Sequence, residues 1–326
     1  MRIVTTLCAA ASLLSGVWAT SALAEELSFA NFMPPGHPYV AGAFQPFADR
    51  VAEKTGGEVT VKLYNGGELG PGPVEQVNRA MDGVADFAIS LPGYTASSFP
   101  LTLSAELPGV TRTETGTQDL WDNIDLLKGE YRRVELVSLW SSAPNVLYTR
   151  DKAVRAPEDV KGMNIRVPSR NAGLQVEAWG ANPVSMPVTE IYNAMQTGVI
   201  DGAMIDTTAT RPFRLGEVAK FLTLGFDATN SPFFIVANRD AFGGLSDDQQ
   251  AAVLEAGKEA SFLANQTQLK VAEGGIAAFE DMGGEVIRLS DAEAEAFNTL
   301  SAPIVGQVVA ETGAGAQAIV DAMKAE

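Results

Sequence analysis

One short pattern is written twice in this chain. Asn78 to Ile89 reads NRAMDGVADFAI, and Tyr192 to Met204 reads YNAMQTGVIDGAM. In each, a helix ends in Ala-Met, a glycine supplies the C-terminal stop, and a short apolar strand carrying an aspartate follows. A chain that uses one helix-to-strand unit twice is constrained to a fold with two related halves.

The elements before each copy follow the same order. The first half reads as strand Leu27 to Phe32, helix Ala43 to Lys54, strand Glu58 to Leu63, helix Pro73 to Asp82 and strand Ala85 to Ile89. The second reads as strand Asn164 to Val167, helix Arg170 to Trp179, a short strand around Val184, helix Thr189 to Thr197 and strand Ile200 to Ile205. That alternation predicts an α/β protein with two βαβαβ lobes, each on a parallel sheet. Open sheets of this kind bind ligands beyond the carboxyl ends of their strands, so two facing lobes enclose a cleft.

Strands Val134 to Leu139 and Val146 to Arg150, joined by Trp140 to Asn145, precede the second lobe, and the apolar run Pro232 to Val236 follows it. These read as crossover hinge segments. Ser246 to Gln249 is a capping box opening a helix that runs to about Met282, with Gly274-Gly275 as a point of bending. A strand near Val286 to Leu289 and helices Asp291 to Glu311 and Gly315 to Lys324 complete the chain. The expected division is residues 25–145 plus 233–271 for lobe I, and 146–232 plus 272–326 for lobe II.

Composition removes whole chemistries. Residues 1–24 have a basic start at Arg2, an apolar run over Ile3 to Val17 and a small-x-small end at Ala22-Leu23-Ala24, the pattern of a signal peptide cleaved near Ala24. The single cysteine, Cys8, leaves with it, and His37 is the single histidine. Thiolate and multi-histidine metal centres, a cysteine nucleophile and disulfides are therefore excluded, and no phosphate loop marks a nucleotide cofactor. Neither a metal nor any other cofactor is expected. The formal charge of −17 argues against nucleic acid as partner, and no later run is long enough to insert in a membrane. Carboxylate chemistry, or binding without chemistry, remains.

Candidate cleft residues stand at the strand ends. Arg166 closes the first strand of lobe II; its planar fork suits bidentate capture of a carboxylate, and an interlobe ion pair is the alternative. Asn31 and Phe32 occupy the matching place in lobe I. Tyr94 lies beyond the third strand of lobe I, and Met204, Ile205 and Asp206 close that of lobe II, where Asp206 is either a ligand acceptor or a helix cap. Val188 and Tyr192 open the helix after the second strand, and Trp140 and Asn230 sit on the crossovers.

FANFMPPGHP at 29–38, YNGGELG at 64–70, APEDVKGMNIRVP at 156–168 and PVTEIYNAMQTGVIDGA at 187–203 together resemble the DctP-type solute-binding proteins of tripartite ATP-independent periplasmic (TRAP) transporters. The resemblance covers nearly all of the chain after the leader. It implies a two-lobed periplasmic binding protein that closes over an organic acid, clamps its carboxylate with Arg166, and passes it to the integral membrane permease subunits. Relatives that bind sugar acids or dicarboxylates often carry a second basic residue on the crossover and an Asn after the DG. Here those places read Pro144-Asn145-Val146 and Met204-Ile205-Asp206. With Phe32, Met33, Tyr94, Trp140, Val188 and Met204 as walls, a monocarboxylate with an apolar or aromatic body is favoured over a C4-dicarboxylate or sugar acid. The rival classes are a secreted hydrolase with paired carboxylates, for which only Asp206 stands at a strand end, and a binding partner of a membrane sensor.

Overall fold

The computed structural model describes residues 24–324, so the expected leader lies outside it save for its last residue. Eleven strands are described: β1 Glu25–Ala30, β2 Val59–Tyr64, β3 Phe87–Ser90, β4 Glu135–Pro144, β5 Val146–Thr149, β6 Asn164–Val167, β7 Asn182–Ser185, β8 Gly202–Ile205, β9 Phe221–Leu224, β10 Asn230–Ala237 and β11 Glu285–Arg288. They form two sheets, ordered β2-β1-β3-β10-β4 and β11-β9-β5-β8-β6-β7. β1 pairs in parallel with β2 and β3, as β6 does with β7 and β8. In both sheets an antiparallel strand then closes the parallel unit: β10 on β3, and β5 on β8. The protein is a two-lobed periplasmic binding protein fold.

The repeated sequence pattern has a common physical basis. Gly83 and Gly198 hold φ of 69° and 78°, the left-handed conformation that ends a helix and that a side chain disfavours. The aspartate in each copy pins the neighbouring parallel strand: Asp86 Oδ2 accepts from Ser28 N at 2.7 Å, and Asp201 Oδ2 accepts from Asn164 N at 2.8 Å. Strands β3 and β8 are buried throughout, as sheet interiors covered on both faces require.

The connection between sheets is tighter than the sequence suggests. Trp140 to Asn145 was expected as a linker, but β4 continues through Pro144, and Asn145 alone separates it from β5. Pairing with β10 along that whole length keeps the segment extended. The return crossing runs from β9 to β10 through 225–229.

One helix of 35 residues, Asp247–Asp281, opens with the expected Ser246/Gln249 capping box and is about 52 Å long at 1.5 Å per residue. Gly274-Gly275 does not break it. Gly275 instead permits close approach, since a Cβ there would meet the Thr207 carbonyl oxygen at 2.0 Å; at Gly257 it would meet that of Val137 at 2.2 Å. The helix is thus seated on β4 of the first lobe and on the 207–209 turn of the second. The expected helix Asp291 to Glu311 is two helices, Asp291–Ser301 and Pro303–Thr312, because Pro303 lacks the N–H that would continue the first. Helices Pro303–Thr312 and Ala314–Lys324 pack against Pro100–Ser104, so the C-terminus returns to the first lobe. Ile304, Val308, Ile319, Val320 and Met323 share its outer core with Phe99, Leu139 and Phe234.

Candidate functional site

Between the lobes lies a small cavity of about 40 Å³. Arg166, on β6, enters it 1 % exposed. Main-chain carbonyls hold the guanidinium in place: Nε donates to Met186 O at 2.9 Å and Nη1 to Met204 O at 3.1 Å. Its Nη2 donates to Tyr94 Oη at 3.4 Å, and the same oxygen accepts from Val188 N at 3.2 Å, so Tyr94 reaches from lobe I onto lobe II. Burial lowers the Arg166 pKa, while Tyr94, Glu106 and Asp206 oppose that shift. No carboxylate forms an ion pair with Arg166 among the described residues. A buried guanidinium held by neutral oxygens keeps its charge available to an incoming anion.

Much of the remaining lining is aromatic. Phe32 and Tyr94 meet edge to face at 6.5 Å. Phe233, on β10, also lines the cavity and stacks at 5.5 Å on Trp140, which is wholly buried behind it. Tyr39, His37 and Phe213 complete this wall, with ring centroids 5.0 Å and 5.8 Å from His37 to the other two. His37 Nδ1 accepts from Tyr39 N at 3.2 Å, and burial lowers the imidazole pKa to about 4, so it is neutral near pH 7. Arg166 is therefore the one cationic group among the described residues that line the cavity at that pH.

Asp206 lines the cavity with its carboxylate already engaged. Oδ1 accepts from Thr208 N at 3.0 Å and from the Thr208 hydroxyl, and Oδ2 accepts from Gln268 Nε2 at 3.1 Å. Tyr39 Oη donates to Gln268 Oε1 and accepts from Trp140 Nε1 at 3.1 Å. A hydrogen-bonded chain thus crosses from β4 in lobe I, through the long helix, to the end of β8 in lobe II. Burial raises the Asp206 pKa against the hydrogen bonds from Thr208 and Gln268.

Of the residues singled out from sequence, Arg166, Phe32, Met33, Tyr94, Val188, Ile205 and Asp206 line the cavity. Five others stand elsewhere. Asn31 braces a turn, donating to Asn65 Oδ1 and accepting from Met33 N. Trp140 supports Phe233 from behind, and Met204 is core, touching the site only through its carbonyl. Tyr192 faces outward under the Arg214 guanidinium at 4.6 Å, and Asn230 ties the crossover to Ser142 O at 2.8 Å. Arg170 is paired with Glu311 at 2.6 Å on the surface.

His37, Asn145, Ser231, Phe233 and Gln268 are lining residues that strand-end reasoning missed. Two had a signal. Alternation along β10 sends Ser231 and Phe233 to the cavity while Phe234 goes to the outer core. On the long helix, Ala256, Ala260 and Ala264 form a buried stripe whose next position is Gln268, a polar side chain where the pattern calls for an apolar one.

Two lobes joined by crossing strands around a buried guanidinium define a solute-binding protein. The family model described as bacterial extracellular solute-binding protein, family 7 (DctP), matches residues 29–312, and the chain belongs to that family, the TRAP solute-binding proteins. A solute-binding protein of Albidiferax ferrireducens is 30 % identical over 253 residues, covering 75 % of this chain and 74 % of its own. A marine metagenome TRAP protein crystallised with 3-hydroxybenzoate superposes with TM-score 0.86 at 24 % identity, over 93 % of this chain and 97 % of that one. One from Bordetella bronchiseptica with bound (R)- and (S)-mandelate gives 0.82 at 25 %, over 91 % and 97 %. No helix among the described residues is long and apolar enough to cross a membrane.

Proposed function

We propose that this protein is a periplasmic receptor, without catalysis, that captures an organic monocarboxylate of aromatic or branched apolar body on Arg166, closes over it, and delivers it to a TRAP membrane permease. The observation that carries the reading is the Arg166 guanidinium, fully buried, held by carbonyls and free of any ion pair among the described residues, in a cavity lined by uncharged rings. A bidentate ion pair gains strength in such a dry setting, and the rings supply the apolar contact. A second carboxylate would enter with no second cation to meet it, at a cost of several kcal/mol. The Bordetella bronchiseptica relative, with mandelate bound, supports an aromatic acid as the ligand type.

Closure supports delivery, because each lobe holds half of the contacts. The moving bodies we assign are the two sheets with their covering helices, hinged at Asn145 and at 225–229, with the long helix bridging them and the C-terminal helices travelling with lobe I. A thermal-shift screen of benzoate, mandelate, galacturonate and succinate tests the ligand class, since an acid that binds the native form raises its melting temperature by mass action. Benzoate or mandelate should give the largest shift. A larger one from succinate or galacturonate overturns the aromatic preference and leaves the carboxylate clamp standing.

A further inference from the structure

Glu106 lies in the loop after helix Pro100–Ser104, only 1 % exposed, yet plays no part in the clamp as described. Its Oε1 accepts from Ser231 Oγ at 3.0 Å, and Ser231 lines the ligand cavity. Its Oε2 has no protein hydrogen-bond partner among the described residues. Ser231 is fixed in turn: its Oγ accepts from Asn145 Nδ2 at 3.1 Å, and its N–H donates to Ser142 Oγ at 2.8 Å. The groups that bear on the Glu106 carboxyl are Ser169 at the start of helix Arg170–Ala178, Ser231 on β10 and the Arg166 charge on β6. Across the cavity stand Asp206, with both oxygens occupied, and neutral His37. A buried acid with a free oxygen therefore shares one cation, Arg166, with whatever anion the cavity receives.

Resting on the reading of Arg166 as the carboxylate clamp, we propose that Glu106 is a proton-coupled positioning residue: ligand capture draws one proton from solvent onto Glu106, and release returns it. The balance is direct. Unliganded protein with ionised Glu106, an organic carboxylate and a proton combine to give the complex with neutral Glu106. Burial pushes the Glu106 pKa up to about 7, against the hydrogen bond from Ser231, the nearby Ser169 hydroxyl and the attraction of Arg166. A carboxylate seated on Arg166 withdraws that attraction and adds repulsion, so the pKa rises further in the complex. Binding then weakens as pH rises above about 7, and lower pH favours the loaded form.

Calorimetry of the wild-type protein with benzoate, and in parallel with galacturonate, counts the protons directly when run in two buffers of different ionisation enthalpy. Near pH 8 close to one proton should be taken up per acid bound, and Kd should rise roughly tenfold between pH about 6 and about 8. Glu106→Gln should abolish both effects. A wild-type Kd that stays flat with no proton uptake, while binding still depends on Arg166, overturns the proposal; so does a pH slope that survives in Glu106→Gln. Should that variant fail to fold, the wild-type proton count decides alone. Loss of benzoate binding with retention of galacturonate corrects the ligand preference, and the proton count is then read on galacturonate. Binding that is indifferent to Arg166→Ala removes the clamp and this proposal together.

Discussion

Where β1 ends in lobe I the cavity receives Phe32; at the matching end of β6 in lobe II it receives Arg166. After β3 come Leu91 and Tyr94, and after β8 comes Asp206. The two lobes share a backbone unit down to the glycine stop and the aspartate that pins the next strand, and they differ in what they set at the cavity. Lobe I lines the cavity with most of the rings and no charged side chain at neutral pH, while lobe II contributes the cation, an acid and the Phe213 ring. The unit specifies where a side chain will stand, because backbone hydrogen bonds and turn conformation decide that. It leaves the chemistry at each position open. Lining the cation's cavity with uncharged rings also lowers the local dielectric, which strengthens the one interaction lobe II offers.

The sharpest way to break this division of labour is to remove the charge. Arg166→Ala should cost about 3 kcal/mol of binding, roughly a hundredfold in Kd, without unfolding the protein, and Arg166→Lys should recover little because an ammonium lacks the two-pronged geometry. Titration calorimetry on both variants reads this, and wild-type affinity in the lysine variant would show that charge alone matters.

The next largest effect should come from keeping the walls apart. A Cβ on Gly93 would meet the Pro168 carbonyl oxygen at 2.7 Å and the Ser169 Cβ at 2.9 Å, across the gap between lobes. Gly93→Val should therefore hold the lobes open and weaken binding by about tenfold. Small-angle scattering at saturating benzoate should show compaction in the wild type and little in the variant. Equal compaction in both would sink the closure reading.

Lobe I's share is tested by changing rings and leaving charge alone. Phe32→Leu or Phe233→Leu should weaken benzoate by about 1 kcal/mol and leave succinate, a poor ligand in this reading, nearly unchanged. Competition binding separates the two acids. A separate effect, on stability and not on binding, concerns titration. His37 has its pKa lowered by burial to about 4. Between that value and the unfolded value near 6.5 the unfolded chain alone takes the proton, so stability is lost as pH falls through this window, by at most about 3 kcal/mol. Melting temperatures from pH 7 to 4 should fall less in His37→Gln. Because His37 is the single histidine in the chain, its one imidazole resonance also gives the pKa directly. The smallest expected effect is at Tyr192, which faces outward: Tyr192→Ala should leave every Kd within experimental error.

Much of this architecture was readable before any coordinates. The echo at 78–89 and 192–204, the capping box at Ser246, the parallel units and the place of Arg166 all depend on neighbours a few residues apart, and local periodicity carries such information. The stretch between β3 and β4 said little beyond Tyr94. Residues 92–131 form short helices and turns with no sustained period, and that stretch also supplies Gly93 and Glu106. Trp140 and Tyr192 show the opposite failure. Both are aromatic residues close to the cavity in sequence terms, and a rotation of one side-chain position sends the first behind Phe233 and the second to solvent.

The sequence by itself determined that two related α/β lobes exist, that thiolate and multi-histidine chemistry is absent after the leader, and that an arginine ends the first strand of lobe II. These follow from residue identity and short-range pattern. Only the tertiary structure decided that Arg166 forms no ion pair among the described residues, that Asp206 is occupied by Thr208 and Gln268, and that Glu106, from a loop 60 residues earlier, is buried where the cation acts on it. Each of those depends on which side chains the fold brings together and how deeply it buries them, and burial then sets their charge state. No local pattern encodes that arrangement.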